Sequence, residues 1–192
     1  MIERVLEREK EFRESLSKRN QKLWQVFLFL AKFTVLAAPL YLLIWSNWNP
    51  LWLRQLNAAA SSGLLNVLGV DSSSSGVFIL TSELSVNVSV DSTGWKSVLA
   101  LTGLMLATPG TVAGVRKKIY GILSGVIFVM AGNIARLVSM VYMVEVWGVS
   151  YQLVHTFLWR WGLTFLVLGF WISWLNWDYM RDWIYKYQAS DM

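Results

Sequence analysis

Four stretches of the chain are almost wholly apolar, and polar segments of two kinds separate them. The apolar runs cover about 23–45, 94–108, 119–147 and 155–177. The first and fourth match the roughly 20 residues needed to cross a hydrocarbon core of ~30 Å, and the third is long enough to overshoot it. The second stops at Pro109-Gly110 and is short, so it must tilt or sit where the bilayer is thin. Lys32 falls inside the first run and must snorkel or face the bundle, and Pro39 implies a mild kink.

Between the first two runs the pattern changes. Over 51–70, Leu51, Leu53, Leu56, Leu64, Leu65, Val67 and Leu68 share the segment with Arg54, Gln55 and two Asn. This predicts an amphipathic helix at the interface or a short re-entrant helix, and periodicity does not separate the two. SSSSG at 72–76 reads as a turn-prone break. Ser85, Asn87 and Ser89 then alternate with Val86, Val88 and Val90, a period of two that predicts a short hairpin or pair of strands. Strand edges cannot face lipid, so this element belongs outside the bilayer. The expected fold is an all-α polytopic membrane bundle of about four transmembrane helices, plus an interfacial helix and a short extracytoplasmic β element. Its parts are a charged cytoplasmic helix over 1–22, the bundle over 23–177 with 50–91 as the extracytoplasmic or interfacial insertion, and a cytoplasmic tail over 178–192.

Composition agrees: 55% of residues are hydrophobic, 15% are charged, and 12 are Trp, which excludes an ordinary soluble domain. The net charge of +5 could suggest a nucleic-acid partner, but the bases are divided among short flanks. Residues 1–22, the Arg116-Lys117-Lys118 loop and the tail hold nearly all loop bases, while 47–93 offers only Arg54 and 148–154 offers none. The positive-inside rule puts both termini in the cytoplasm and the strand region outside, with no role for nucleic acid. Residues 1–22 mix acids with bases and lack an apolar stretch, so they are no cleavable signal peptide. There is no Cys and one His, which makes no metal ligand set, and no nucleotide or flavin motif implies a cofactor.

Candidate chemistry gathers on the outer side. Asp91, Ser92 and Thr93 open the second apolar run, where any of them could cap a helix start. Arg136 lies deep in the third run with Asn133 one turn before it on the same face. A mid-membrane arginine costs about 3 kcal/mol on insertion scales, so it is either a functional group or a strut satisfied by carbonyls. His155 begins the fourth run, where a lone interfacial His is commonly structural. Arg160 fits a snorkelling role, and Glu145 could pair with one of these bases. Arg136 lies eleven residues before Trp147, about 16 Å along a helix. Ser92, Arg136 and His155 can therefore converge in one outward-opening cavity suited to nucleophilic acyl transfer.

Three strings in this order, S-T-G at 92–94, N-I-A-R at 133–136 and V-H at 154–155, resemble the exosortase/archaeosortase family of membrane transpeptidases. The resemblance covers roughly 76–175. It implies an enzyme of the prokaryotic plasma membrane, archaea included, with its active site facing outside. Its partners would be secreted proteins ending in a short motif, a hydrophobic helix and a basic tail, with a membrane lipid as acceptor. On that mapping Ser92 takes the place of the family's nucleophilic Cys, Arg136 stabilises charge, and His155 is the general acid/base. Asn133 and Arg160 would orient substrate. A hydroxyl is far less acidic than a thiol, so Ser92 predicts an inactive or very slow transpeptidase, either an engineered trap or a natural variant.

Other classes are weaker. A non-catalytic factor that binds hydrophobic C-terminal tails would need a groove but not His155. A small transporter is disfavoured by the lack of an internal repeat or paired broken helices. A rhomboid-like serine protease lacks a G-x-S-x-G-like string around Ser92.

Overall fold

Breaks in the backbone set the frame of the chain in the computed structural model, which describes residues 12, 15–110, 112–153 and 161–177. His155, Arg160, the tail and most of the charged N-terminal segment lie outside these residues. Ser17 starts the first described helix, its hydroxyl accepting from the Asn20 N–H at 3.4 Å. Helix α1 (Lys18–Leu36) ends at Ala37, and α2 (Ala38–Trp45) resumes with Pro39 in its first turn, where a missing N–H is harmless. Neither helix buries a residue, and Lys32 lies exposed on α1. The first run is thus a broken span of 28 residues, long and apolar enough to cross a membrane.

Helix α3 (Leu51–Val67) has its polarity inverted relative to a helix in water. Leu53, Asn57, Ser61 and Leu65 recur every four residues and, with Ala58 and Ser62, make the buried face. Leu51, Trp52, Leu56, Leu64 and Val67 are exposed. Small and polar residues inside allow close approach and internal hydrogen bonds, whereas large apolar residues outside cost nothing against lipid.

The serine run is a strand, not a turn. Strands β1 (Ser72–Ser75), β2 (Phe78–Thr81) and β3 (Ser85–Asn87) form one antiparallel sheet in sequence order, with Ser72 opposite Thr81 and Ile79 opposite Val86. The turn shrinks to Gly76, at φ +58°, and Val77. Tertiary ties override the local preference of serine for turns. The Ser72 hydroxyl donates to the Ser62 carbonyl at 2.9 Å, and the Asn66 amide brackets the Ser72 N–H and C=O at 2.8 and 2.9 Å. Glu145 does not reach a base among the described residues. It accepts from Thr81 Oγ1 at 3.0 Å and Ser82 Oγ at 2.6 Å, clamping the sheet to the helix that carries it. Arg54 holds the other side, donating to the Val88 carbonyl at 2.8 Å and Asn87 Oδ1 at 3.0 Å.

Helix α4 (Trp95–Ala107) follows a 3-10 turn over Val90–Thr93, and α5 (Val115–Trp147) is a single helix of 33 residues, about 50 Å long. Helix α6 (Leu163–Leu175) completes the described bundle. Of the helices described, the α1–α2 stretch and α5 are long and apolar enough to span, while α4 and the described part of α6 are shorter apolar helices. Lys118 folds its ammonium onto the Leu106 and Thr108 carbonyls, capping the end of α4 with positive charge. Two cores result. One joins α3, the sheet and the C-terminal half of α5 around Leu65, Ile79, Val88 and Val141. The other joins α4, α6 and the N-terminal half of α5 around Leu101, Met105, Val129 and Val167.

Candidate functional site

Where these two cores meet, the chain buries polar side chains. Asn57, Thr93 and Asn133 are fully buried and Ser92 nearly so. They arrive from three elements: Asn57 from α3, Ser92 and Thr93 from the 3-10 turn, and Asn133 and Arg136 from consecutive turns of α5.

The turn at 90–94 does not cap α4 with a side chain. Gly94 occupies the cap position at φ +79°, and no side-chain capping bond is made. Asp91 instead pairs with Lys96 at 2.6 Å, and Thr93 Oγ1 donates back to the Val90 carbonyl at 2.8 Å. The Ser92 and Ser89 hydroxyls share a hydrogen bond of 2.8 Å. The 3-10 turn leads into Gly94, which takes the cap position without a side chain and leaves Thr93 one residue short of it, which is why the capping expectation fails. Gly94 serves a second purpose. A Cβ there would lie 3.1 Å from both Cβ and Cγ of Asn133, so glycine permits both the left-handed backbone and the close approach of α5.

The contact that organises the site is to the Ser92 carbonyl. Asn133 Nδ2 donates to it at 2.8 Å and Arg136 Nη2 at 3.3 Å. Asn133 Nδ2 also donates to Asn57 Oδ1 at 2.8 Å, and Asn57 Nδ2 donates to the Leu53 carbonyl at 2.8 Å. Asn133 Oδ1 is buried with no hydrogen-bond partner among the described residues. On the far side of Arg136, its Cδ lies 3.8 Å from where a Cβ on Gly162 would stand, so the guanidinium stem packs between the turn and the approach to α6.

A cleft of mixed polarity, about 340 Å³, opens next to the 3-10 turn, lined by Asn47, Asn49, Val90, Asp91, Trp95 and Lys96 among others, while Ser92 itself is buried and does not line it. An almost wholly apolar groove of about 410 Å³ adjoins it between α2, α3, α4 and α5, walled by Trp52, Leu56, Leu99, Val126 and Met130. Leu43, Trp48 and Trp95 border both. Such a pair of spaces suits a chain that is polar at one end and apolar at the other. Among the described residues no cluster of three or more His, Asp or Glu could hold a metal ion.

Of the five residues singled out from sequence, Ser92, Asn133 and Arg136 come into direct contact, across separations of 41 and 44 residues. His155 and Arg160 lie outside the described residues. Sequence reasoning missed Asn57 and the part played by Gly94. The signal for Asn57 was present in the recurrence of Leu53, Asn57, Ser61 and Leu65, which marks a buried helix face whatever the polarity. The family model described as transmembrane exosortase (Exosortase_EpsH) matches residues 18–175. No curated protein and no solved structure matches the chain.

Proposed function

The chain belongs to the transmembrane exosortase family, a membrane transpeptidase family, and on that premise we propose how its site works. We propose that it recognises secreted proteins carrying a C-terminal motif, a hydrophobic helix and a basic tail, cleaves near the motif and passes the protein to a lipid acceptor. The reaction takes place on the outer side of a prokaryotic plasma membrane, with both termini in the cytoplasm. The motif sits in the cleft next to the turn that carries residue 92, and the apolar segment behind it enters the groove walled by Trp52, Leu56, Val126 and Met130.

The side chain at 92 attacks the scissile carbonyl. As the new bond to carbon forms, His155 takes the nucleophile's proton and then returns it to the leaving amine as the C–N bond breaks. An acceptor amine or hydroxyl then attacks the acyl carbonyl, giving its proton to His155, and as the bond from that carbon to the side chain at 92 breaks His155 passes the proton to the departing side chain. Arg136 offers positive charge to the oxygen that becomes anionic in the tetrahedral intermediate. Asn133, fully buried, holds the main chain of residue 92 in place of the substrate contact expected from sequence, and Arg160 orients the substrate. The observation that carries this reading is the convergence of Asn133 and Arg136 on the main chain of Ser92.

Serine makes the first step slow, because its hydroxyl stays protonated where a thiol would ionise beside Arg136. Its hydrogen-bond partner among the described residues is another hydroxyl, Ser89, which is no base. Ser92→Cys, co-expressed with candidate secreted proteins, is expected to release the C-terminal segment of the substrate. His155→Ala in that background is expected to abolish release. Absence of cleavage by the Ser92→Cys protein would overturn the transpeptidase reading. Capture of intact tails by both forms, indifferent to His155→Ala, is the outcome for a non-catalytic tail-binding factor.

A further inference from the structure

Hydrogen-bond polarity runs in one direction through the buried seam. The Leu53 carbonyl can only accept, so the Asn57 side chain must present its NH2 there. That leaves Asn57 Oδ1 facing α5, where it can only accept. Asn133 must then present its own NH2, whose second hydrogen reaches the Ser92 carbonyl. Both amides are fully buried, with no water-facing alternative to compensate a flip. Two main-chain carbonyls therefore fix the same end of Asn133, the Ser92 carbonyl directly and the Leu53 carbonyl of α3 through Asn57.

We propose that Asn57 is a positioning residue for the site: it locks the Asn133 amide so that Asn133 and Arg136 together hold the residue-92 main chain. Asn57 itself touches no reacting atom. Without it the Asn133 amide keeps only its bond to the Ser92 carbonyl, and the pair can shift together away from α3. The turn would move away from the α5 guanidinium, and the side chain at 92 would lose the positive surroundings that favour its ionised form. This inference rests on residue 92 being the nucleophile position of the proposed function.

The absence of native cysteine makes a clean test available, because Ser92→Cys creates the chain's single thiol. In the purified, detergent-solubilised full-length protein, that thiol, as its thiolate, displaces iodide from iodoacetamide and forms a C–S bond. The rate against pH reports the ionisation of the side chain at 92 with no sorting substrate present. Asn57→Leu in the Ser92→Cys background is expected to move the midpoint upward, lowering the alkylation rate near neutral pH by about tenfold. Asn57→Ala, which removes the amide without adding charge or bulk, is expected to act in the same direction and serves as the deciding variant if Asn57→Leu fails to fold. With Asn133→Leu also present, Asn57→Leu is expected to add little further shift, because the relay is already cut. Profiles that superimpose on the Asn57 parent, or a shift of equal size in the Asn133→Leu background, would overturn the proposal. A Ser92→Cys protein that alkylates as expected but cleaves no sorting signal condemns the transpeptidase reading and leaves the positioning result intact.

Discussion

The N-terminal half of α5 and its polar junction at Asn133 meet their neighbours by different means. The N-terminal half approaches α4 and α6 through glycine: a Cβ at Gly121 would lie 2.3 Å from Trp174 and at Gly125 2.7 Å from Leu101. Beyond it, besides the apolar core around Val141, α5 meets α3 and the turn through Asn133, whose amide is fully buried and donates two hydrogen bonds. The first contact depends on the absence of side chains and is held by dispersion and close approach, with a hydrogen bond from Trp174 Nε1 to the Lys117 carbonyl at 3.3 Å. The second depends on particular atoms, and a buried carbonyl loses its partner if they change. Close packing can be assembled from many small residues, whereas the polar seam accepts few.

The largest effect is expected at the junction. Asn133→Leu removes two donors at once and leaves the Ser92 carbonyl with only Arg136, at a cost of about 2–4 kcal/mol. Thermal unfolding in detergent checks it, and retention of wild-type stability would show that the seam is not the constraint described. Gly125→Val tests the glycine-packed half. Its side chain meets Leu101, and overpacking of this kind costs about 1–3 kcal/mol. This variant is expected to lose stability while the pH dependence of alkylation in the Ser92→Cys background stays put. Gly94→Ala probes the point where both demands coincide. Strain at φ +79° and crowding against Asn133 are expected to cost about 1–2 kcal/mol and, unlike Gly125→Val, to disturb alkylation as well. The smallest effect belongs to the outer clamp. Glu145→Gln weakens the hold on Thr81 and Ser82 by about 1 kcal/mol, which hydrogen exchange should detect as faster opening of the sheet without a change in global unfolding.

The failures of expectation share a cause with the seam. Asp91 and Thr93 are good capping residues, yet they pair with Lys96 and Val90 because the 3-10 turn leads into Gly94, which takes the cap position of α4. Ser72–Ser75 has the composition of a turn, yet it is a strand because Asn66 and the Ser62 carbonyl bind Ser72 and β2 completes the ladder. Glu145 was within reach of basic residues along the chain but binds two hydroxyls 63 and 64 residues away. For the strand and for Glu145, a tertiary partner prevailed over a local preference; for the cap, the backbone turn did.

What the sequence determined by itself was whatever depends on sums and periods. The membrane class follows from the length and apolarity of the runs, and the approximate limits of α4 and α5 follow from Pro109 and from the Trp-rich ends. The association of Ser92 with Asn133 and Arg136 was legible as an ordered set of strings, though not as contacts. Tertiary structure alone decided which atoms meet: that Ser92 offers its carbonyl to α5, that Gly94 leaves room for Asn133, and that Asn57 completes the relay from α3. Hydrophobic partition acts on a segment as a whole and leaves a mark in composition. A buried hydrogen bond is directional and short, and its partner can come from anywhere in the chain.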